Sequence, residues 1–118
     1  MTTDISALQA KIAEFSRDRD WDQFHTPRSL ILSLVSELGE LAEVFQWQTD
    51  SELLNKDTIE RLRLKYEEEI ADVGIYLIRL CQILEVDLLD AIDRKLVSNE
   101  QKYPVSDSKG NAIKYSDR

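Results

Sequence analysis

The chain has 118 residues, a length that suits one domain. It contains 42% hydrophobic residues but only 3 Gly and 2 Pro, too few for the frequent turns of an all-β sandwich or barrel. The 15 Lys and Arg residues against 23 Asp and Glu give a net charge of −8, which argues against binding to nucleic acid or to an anionic membrane. A mostly helical domain is therefore expected.

The first two helices are predicted from apolar spacing and from capping residues. Residues 4–17 carry apolar side chains every three or four positions, which indicates an amphipathic helix. The second helix is predicted to begin with Thr26 as its N-cap and Pro27 in its first turn. We expect it to continue to about Trp47.

The third helix is predicted from an N-cap at Asp57 to about residue 86, after a short helical turn at residues 52–55. Between residues 70 and 84 the apolar side chains go almost completely round the helix, a pattern typical of a helix buried on all sides. A four-helix monomer of this size rarely surrounds one helix completely. The pattern therefore predicts a homo-oligomer.

The fourth helix is predicted to be capped by Asp87 and to end at Tyr103, because Pro104 cannot continue it. The residues that follow are polar and are expected to form an extended tail. We therefore predict an all-α domain over residues 1–104 and a polar C-terminal tail over residues 105–118.

The expected location is cytoplasmic. The single Cys81 cannot form an internal disulfide and fits a reducing compartment. The first residues lack the basic start and the apolar stretch of a signal peptide. No apolar run approaches the roughly 18 residues of a transmembrane helix.

Two helices carry an acidic pair on or beside the face that should form the core. With about 3.6 residues per turn, Glu37 falls among the apolar side chains of the second helix and Glu40 at their margin. On the third helix, Glu69 falls among apolar side chains and Asp72 beside them. Because burial of unpaired carboxylates costs several kcal/mol each, something must compensate them.

Two kinds of compensation are open from the spacing. Lys or Arg side chains of neighbouring helices would form salt bridges with the carboxylates. Alternatively, the carboxylates would bind a hard cation such as Mg²⁺ or Mn²⁺, in preference to Zn²⁺, together with a phosphate-bearing substrate. A di-iron carboxylate bundle needs two Glu-x-x-His pairs, and the single histidine, His25, is not placed to supply one.

The fourth helix carries a polar stripe of two cations and an amide, formed by Lys95, Asn99 and Lys102. Such a stripe is either a solvated face or, beside an acidic metal site, a set of contacts to phosphate oxygens. A further group of rings lies near helix ends or beside the acidic pairs, where it would serve either in packing or in stacking on a base. Its members are Trp21, Phe24, His25, Trp47 and Tyr76.

Segments in the right order resemble the dCTP pyrophosphatases, which belong to the all-α, MazG-like nucleoside triphosphate pyrophosphohydrolases. Residues 19–28 resemble the entry segment of that family, and residues 37–47 resemble its first metal motif. Residues 69–76 resemble the second metal motif, and residues 95–104 resemble the phosphate-side helix. The resemblance covers nearly the whole chain.

The resemblance implies Mg²⁺-dependent hydrolysis of a (deoxy)nucleoside triphosphate, above all dCTP or 5-modified dCTP, to the monophosphate and pyrophosphate. Mn²⁺ is a possible substitute for Mg²⁺. The implied fold is a four-helix bundle that assembles as a dimer or a dimer of dimers, with sites between subunits. A MazG-like pyrophosphatase of broader specificity and a non-catalytic helical assembly protein with salt-bridged acidic pairs are the alternatives.

The resemblance also implies roles for particular residues. The metal ligands and catalytic groups are implied to be Glu37, Glu40, Glu69 and Asp72. The contacts to the phosphates are implied to come from Lys95, Asn99 and Lys102. The pocket for the base and sugar is implied to be formed or bordered by Trp21, His25, Trp47 and Tyr76.

Overall fold

A computed structural model describes residues 4–117, in which all regular structure is helical. The predicted all-α class is confirmed. In chain order the helices are α1 (Ile5–Asp18), α2 (Pro27–Glu43), α3 (Asp50–Leu53), α4 (Lys56–Ile83), α5 (Leu88–Lys102) and α6 (Val105–Ser108), with 3₁₀ turns at Asp22–Phe24 and Tyr115–Asp117. The chain divides into two compact units, the first ending at Glu85 and the second beginning at Val86.

The starts of α1 and α2 are fixed by side chains that accept hydrogen bonds from unpaired backbone N–H groups. Asp4 Oδ1 accepts from the N–H of Ser6 at 2.8 Å. Thr26 Oγ1 accepts from the N–H of Ser29 at 3.1 Å, and Pro27 lies in the first turn. Both helix starts agree with the sequence prediction.

The predicted end of the second helix is wrong, because α2 ends at Glu43 and not at Trp47. After Glu43 the backbone tightens into turns: the N–H of Val44 bonds the carbonyl of Leu41 at 3.2 Å, and the N–H of Phe45 bonds that of Ala42 at 3.0 Å. These i→i−3 bonds satisfy the last helical carbonyls in place of continued α-helix.

The boundaries of α3 and α4 also differ from the predicted ones. The short helical turn begins earlier than predicted, because the side chain of Thr49 caps α3 at its start. The side chain of Asn55 caps α4. The predicted cap, Asp57, lies inside the first turn of α4.

The end of α4 comes at Ile83, three residues before the predicted end. Glu85 takes a left-handed backbone conformation with φ 56°, which the α-helix cannot continue through. The helix therefore ends before Asp87, which caps the next helix.

The core of the first unit forms where α1 and α2 pack against α4. Its buried apolar side chains come from all three helices: Ile12, Leu30, Leu34 and Ile78. Part of the apolar surface of α4 is not covered within the chain, since Ile70 is 55% exposed and Ile75 and Leu77 are exposed as well, as expected for a helix that one monomer does not surround. The homo-oligomer inferred from that pattern stays a prediction.

The second unit contains α5 and the residues that follow it. Asp87 caps α5 as predicted, by accepting a hydrogen bond from the N–H of Asp90 at 3.0 Å, and the helix ends just before Tyr103 and Pro104. The residues beyond are not extended throughout, because α6 and a 3₁₀ turn form within them. The hydroxyl of Tyr103 accepts a hydrogen bond from the N–H of Tyr115 at 3.0 Å, which ties the tail to the end of α5.

Among the described residues, the helices are too short or too polar for any of them to cross a membrane.

Candidate functional site

Three carboxylates from two helices converge in the first unit. Glu37 and Glu40 lie one turn apart on α2, and Glu69 lies on α4, against which α2 packs. One oxygen of each carboxylate lies within 4.8 Å of the others. The structure thus brings together three of the four acidic residues predicted as metal ligands, and we call them the acidic cluster.

Two oxygens of the acidic cluster are buried without a partner. Glu69 is only 9% exposed and Glu37 is half-buried. Within the described part of the chain, the Oε2 atoms of both residues have no hydrogen-bond partner. Such atoms are rare in folded proteins and call for an explanation, such as an ion.

Salt bridging accounts for only a small part of the acidic cluster. Lys65 lies one turn before Glu69 on α4, and its Nζ is 2.9 Å from Glu69 Oε1. The lysine side chain is 54% exposed, so the pair is partly solvated and contributes little to stability. One ammonium group faces three carboxylates, which leaves an excess of negative charge.

The pKa of Glu37 is raised in this excess of negative charge. Burial raises the pKa of its carboxyl group, as do a hydrogen bond with Glu40 and the negative charges of Glu40, Asp72 and Glu69. A carboxyl group whose pKa is raised by neighbouring negative charges favours either a shared proton or a bound cation. A hard divalent cation fits this all-oxygen set.

A cavity of about 370 Å³ adjoins the acidic cluster in the first unit. Glu37 and Asp72 both line it, so the fourth predicted acidic residue reaches the same space. Trp21, His25 and Tyr76 line it as well. A second cavity, of about 260 Å³, shares these three rings. A cavity lined by aromatic rings and by a few carboxylates suits a small organic molecule.

The aromatic part of the cavity is ordered by edge-to-face contacts. The ring of Trp21 lies 5.6 Å from Phe15 at 72° and 6.4 Å from His25 at 64°. The 3₁₀ turn Asp22–Phe24 directly follows Trp21 and leads to His25. Trp21 remains 44% exposed, which leaves indole surface available to a ligand.

A buried charged residue of the cavity was missed by the sequence interpretation. Arg79 of α4 lines the cavity, is only 7% exposed and bonds side chains of both His25 and Asp22. A signal was present, because Arg79 is the one charged residue between residues 73 and 84. It also follows Asp72 by seven positions, which places both on one side of the helix.

Trp47 is not brought to this cavity, and three other predicted site residues belong to the second unit. Trp47 follows α2 and is 87% exposed, and it does not line either cavity described above. Lys95, Asn99 and Lys102 lie on α5 in the second unit, with Asn99 half-buried and both lysines exposed. Their assigned roles remain predictions.

Fold and site together define an all-helical protein with carboxylates from two packed helices beside an aromatic cavity. A family model described as the MazG-like family matches residues 32–117. The chain belongs to the MazG-like family, and the resemblance found in the sequence is confirmed.

Curated relatives are similar in sequence over most of the chain. It is 49% identical to dCTP pyrophosphatase 1 of Mus musculus and 45% identical to dCTP pyrophosphatase 1 of Homo sapiens, over 105 residues in each case. These matches cover 89% of this chain and 62% of each relative. The chain thus matches less than two thirds of the length of these relatives.

A solved structure extends the similarity to the fold. The crystal structure of a pyrophosphatase from Archaeoglobus fulgidus DSM 4304 superposes with a TM-score of 0.80 at 39% identity. The match covers 88% of this chain and 95% of that one.

Proposed function

We propose that the chain hydrolyses a nucleoside triphosphate to the monophosphate and pyrophosphate, with dCTP or a 5-modified dCTP as the preferred substrate and Mg²⁺ as the cofactor. The observation that carries this proposal is the pair of buried, unpartnered oxygens of Glu37 and Glu69 beside an aromatic cavity. The names of the relatives in mouse and human, both dCTP pyrophosphatase 1, support it.

The acidic cluster would hold the metal. Glu37, Glu40 and Glu69 offer oxygen ligands that lie close together, and Asp72 lines the same cavity as Glu37. Oxygen ligands of this kind suit Mg²⁺, with Mn²⁺ as a substitute. When bound, the metal supplies Lewis-acid polarisation of the phosphoryl group and offsets the charge of the triphosphate.

The charge of the acidic cluster makes the cation necessary for binding. A triphosphate carries several negative charges near neutral pH, and one charge pair at 4 Å repels by about 4 kcal/mol at an effective dielectric constant of 20. The carboxylates of Glu37 and Glu69 would therefore exclude the bare triphosphate. Substrate binding without a divalent cation should fail.

The aromatic rings would hold the base. Trp21, His25 and Tyr76 line both cavities, and none of the described residues that line the second cavity carries a carboxylate. Stacking of a base on an aromatic side chain contributes about 1–3 kcal/mol. With the base on these rings, the phosphates would be directed toward the acidic cluster.

Three further parts of the proposal rest on the family resemblance. Lys95, Asn99 and Lys102 are proposed to contact phosphate oxygens, and Trp47 is proposed to border the base. The active form is proposed to be a homo-oligomer, a dimer or a dimer of dimers. A broader MazG-like specificity that includes dUTP or dTTP is the alternative within the same reaction.

The deciding experiment is an assay of pyrophosphate release from a panel of ribo- and deoxynucleoside triphosphates. Each is tested with Mg²⁺, with Mn²⁺ and with EDTA. We expect pyrophosphate, and not orthophosphate, to be released only with a divalent cation, and fastest from dCTP or 5-methyl-dCTP. Absence of pyrophosphate with every nucleotide would refute the proposed reaction, and equal rates for all pyrimidines would support the broader specificity.

A further inference from the structure

A buried arginine connects the cavity to three polar side chains. Arg79 Nε donates a hydrogen bond to His25 Nδ1 at 2.9 Å, and Nη2 donates to Asp22 Oδ1 at 2.8 Å. Nη1 donates to Gln82 Oε1 at 3.0 Å. Gln82 Nε2 in turn donates to the backbone carbonyl oxygen of Gln9 on α1, at 2.7 Å. The guanidinium is therefore held from three sides.

The bond to His25 determines where the imidazole carries its proton. A guanidinium only donates hydrogen bonds, so His25 Nδ1 must offer a lone pair to Arg79 Nε. In a neutral ring the proton then lies on Nε2. A doubly protonated ring would place two N–H groups against each other.

The charges around the ring act in the same direction. Burial lowers the pKa of His25, and the positive charge of Arg79 lowers it further, against the opposing effect of Asp22. The neutral ring is thus favoured both by the hydrogen bond and by its surroundings.

The remaining nitrogen of His25 is left for a ligand. Among the described residues, its ring makes one hydrogen bond, the one to Arg79. His25 lines both cavities together with Trp21 and Tyr76. The Nε2–H group is therefore the donor that a base stacked between these rings would meet.

We propose that Arg79 is a positioning residue that holds His25 as its Nε2–H tautomer, so that the cavity presents a hydrogen-bond donor to the base. This inference rests on the proposed function and assigns part of its base preference. Cytosine N3 is an acceptor and accepts from Nε2–H, whereas N3 of uracil and thymine carries a hydrogen and opposes it. Discrimination by an unmatched polar pair exceeds that of shape alone.

The tautomer is tested by NMR on the untagged, ¹⁵N-labelled chain, in which His25 is the single histidine. We expect a two-bond nitrogen–nitrogen coupling across the hydrogen bond between Arg79 Nε and His25 Nδ1, with Nδ1 resonating as an unprotonated nitrogen. A protonated Nδ1, or no coupling between these two nitrogens, would overturn the proposal. This measurement needs no enzymatic activity.

The kinetic test compares Arg79→Met with Gln82→Ala. Arg79→Met removes the bond to His25, and we expect KM for dCTP to rise about 3- to 10-fold, the effect of one hydrogen bond, with kcat changed by less than about 2-fold. The preference for dCTP over dUTP should fall in parallel. Gln82→Ala removes one of the three contacts of Arg79 but keeps the bond to His25, so it should change KM and the nitrogen coupling less than Arg79→Met does. Equal losses in both variants would overturn the assigned role.

The His25→Gln variant tests whether Arg79 acts through the imidazole of His25 or contacts the substrate directly. Glutamine places an N–H donor near the position of Nε2 but has no equivalent of Nδ1. Arg79→Met should therefore raise KM in the wild-type background and change it little in the His25→Gln background. The same rise in both backgrounds would overturn the proposal.

The proposed hydrolysis and the role of Arg79 are refuted by different results. If the wild-type chain hydrolyses no triphosphate, the proposed function fails, and the nitrogen coupling alone decides whether Arg79 fixes the tautomer. If hydrolysis occurs and Arg79→Met leaves KM and the dCTP preference unchanged, only the role of Arg79 fails. A variant that unfolds is recognised by circular dichroism, and the coupling in the wild-type chain then decides.

Discussion

Three consecutive glutamates on α4 provide a built-in control for the metal site. Glu69 is 9% exposed and belongs to the acidic cluster, whereas its neighbour Glu68 is exposed. Glu69→Gln and Glu68→Gln are the same chemical change, one residue apart. Only the first should abolish Mg²⁺-dependent turnover, because only Glu69 lies with the other carboxylates.

The magnitude for the metal-free protein follows from the distances. Carboxylate oxygens of Glu37 and Glu69 lie within 4.8 Å of each other. At 4.8 Å and an effective dielectric constant of 20 their repulsion is about 3.5 kcal/mol, which solvent reduces because Glu37 is only half-buried. Glu69→Gln relieves this repulsion and loses the partly exposed ion pair with Lys65, which contributes little to stability. The net expectation is a stabilisation of about 1–2 kcal/mol in EDTA.

Two measurements test this prediction. In thermal melts with EDTA, Glu69→Gln should raise Tm by roughly 3–10 °C, and Glu68→Gln should shift stability by less than about 0.5 kcal/mol. In pyrophosphate release from dCTP with Mg²⁺, the first variant should lose at least about 100-fold in rate and the second should remain near wild type. Equal loss of turnover in both variants would show that the position on the helix does not identify the metal ligand. If neither variant loses turnover, Glu69 is not a metal ligand.

Three other predictions use simpler readouts. Trp47→Ala should weaken nucleotide binding by about 1–3 kcal/mol, as expected for a stacking residue, with Mg²⁺ binding and fold retained; unchanged affinity would exclude Trp47 from the base pocket. Light scattering at micromolar concentration should give the mass of a dimer or tetramer, and an active monomer would contradict the assembly. Because the folded-state pKa of Glu37 is raised above its ordinary value of 4.5, the stability that its protonated form contributes is complete below that value. It is lost as pH rises through the raised pKa, so Tm in EDTA should fall with rising pH, and Glu37→Gln should flatten that fall.

Local features of the structure could be predicted where a side chain acts on its own helix. Thr26 and Pro27 start α2, and Asp87 starts α5, because capping depends on residues within one turn. The side of the helix on which Glu37 and Glu69 lie follows from periodicity in the same way. Both kinds of inference need only the residue and its near neighbours in the chain.

Boundaries without a local stop signal could not be predicted. No Gly or Pro lies between Glu43 and Trp47, and the apolar spacing continues to Trp47, yet α2 ends at Glu43 with Val44 as its C-cap. Near the start of α4, Asn55 and Asp57 are both good capping residues, and the structure uses the first. Such choices depend on how the connecting segment packs.

The network around Arg79 lies beyond any local pattern. Its partners His25 and Asp22 are 54 and 57 positions away in the chain, so helical spacing contains no information about them. Only packing of the segment that follows α1 against α4 brings these side chains together. An isolated charge within an apolar run marks Arg79 as a residue that needs a partner, but it does not name the partner.

The hydrogen bonds of Arg79 also help to decide how the buried carboxylates are compensated. The sequence left two alternatives open, salt bridges and a bound cation. Arg79 lines the same cavity as Glu37 and Asp72 and is the kind of buried cation that a salt-bridged cluster would need. Its hydrogen bonds go instead to Asp22, His25 and Gln82, so its charge is balanced by Asp22. The acidic cluster is left with the partly exposed Lys65 as the one cation paired with it among the described residues. Three carboxylates against one ammonium favour a divalent cation over salt bridging.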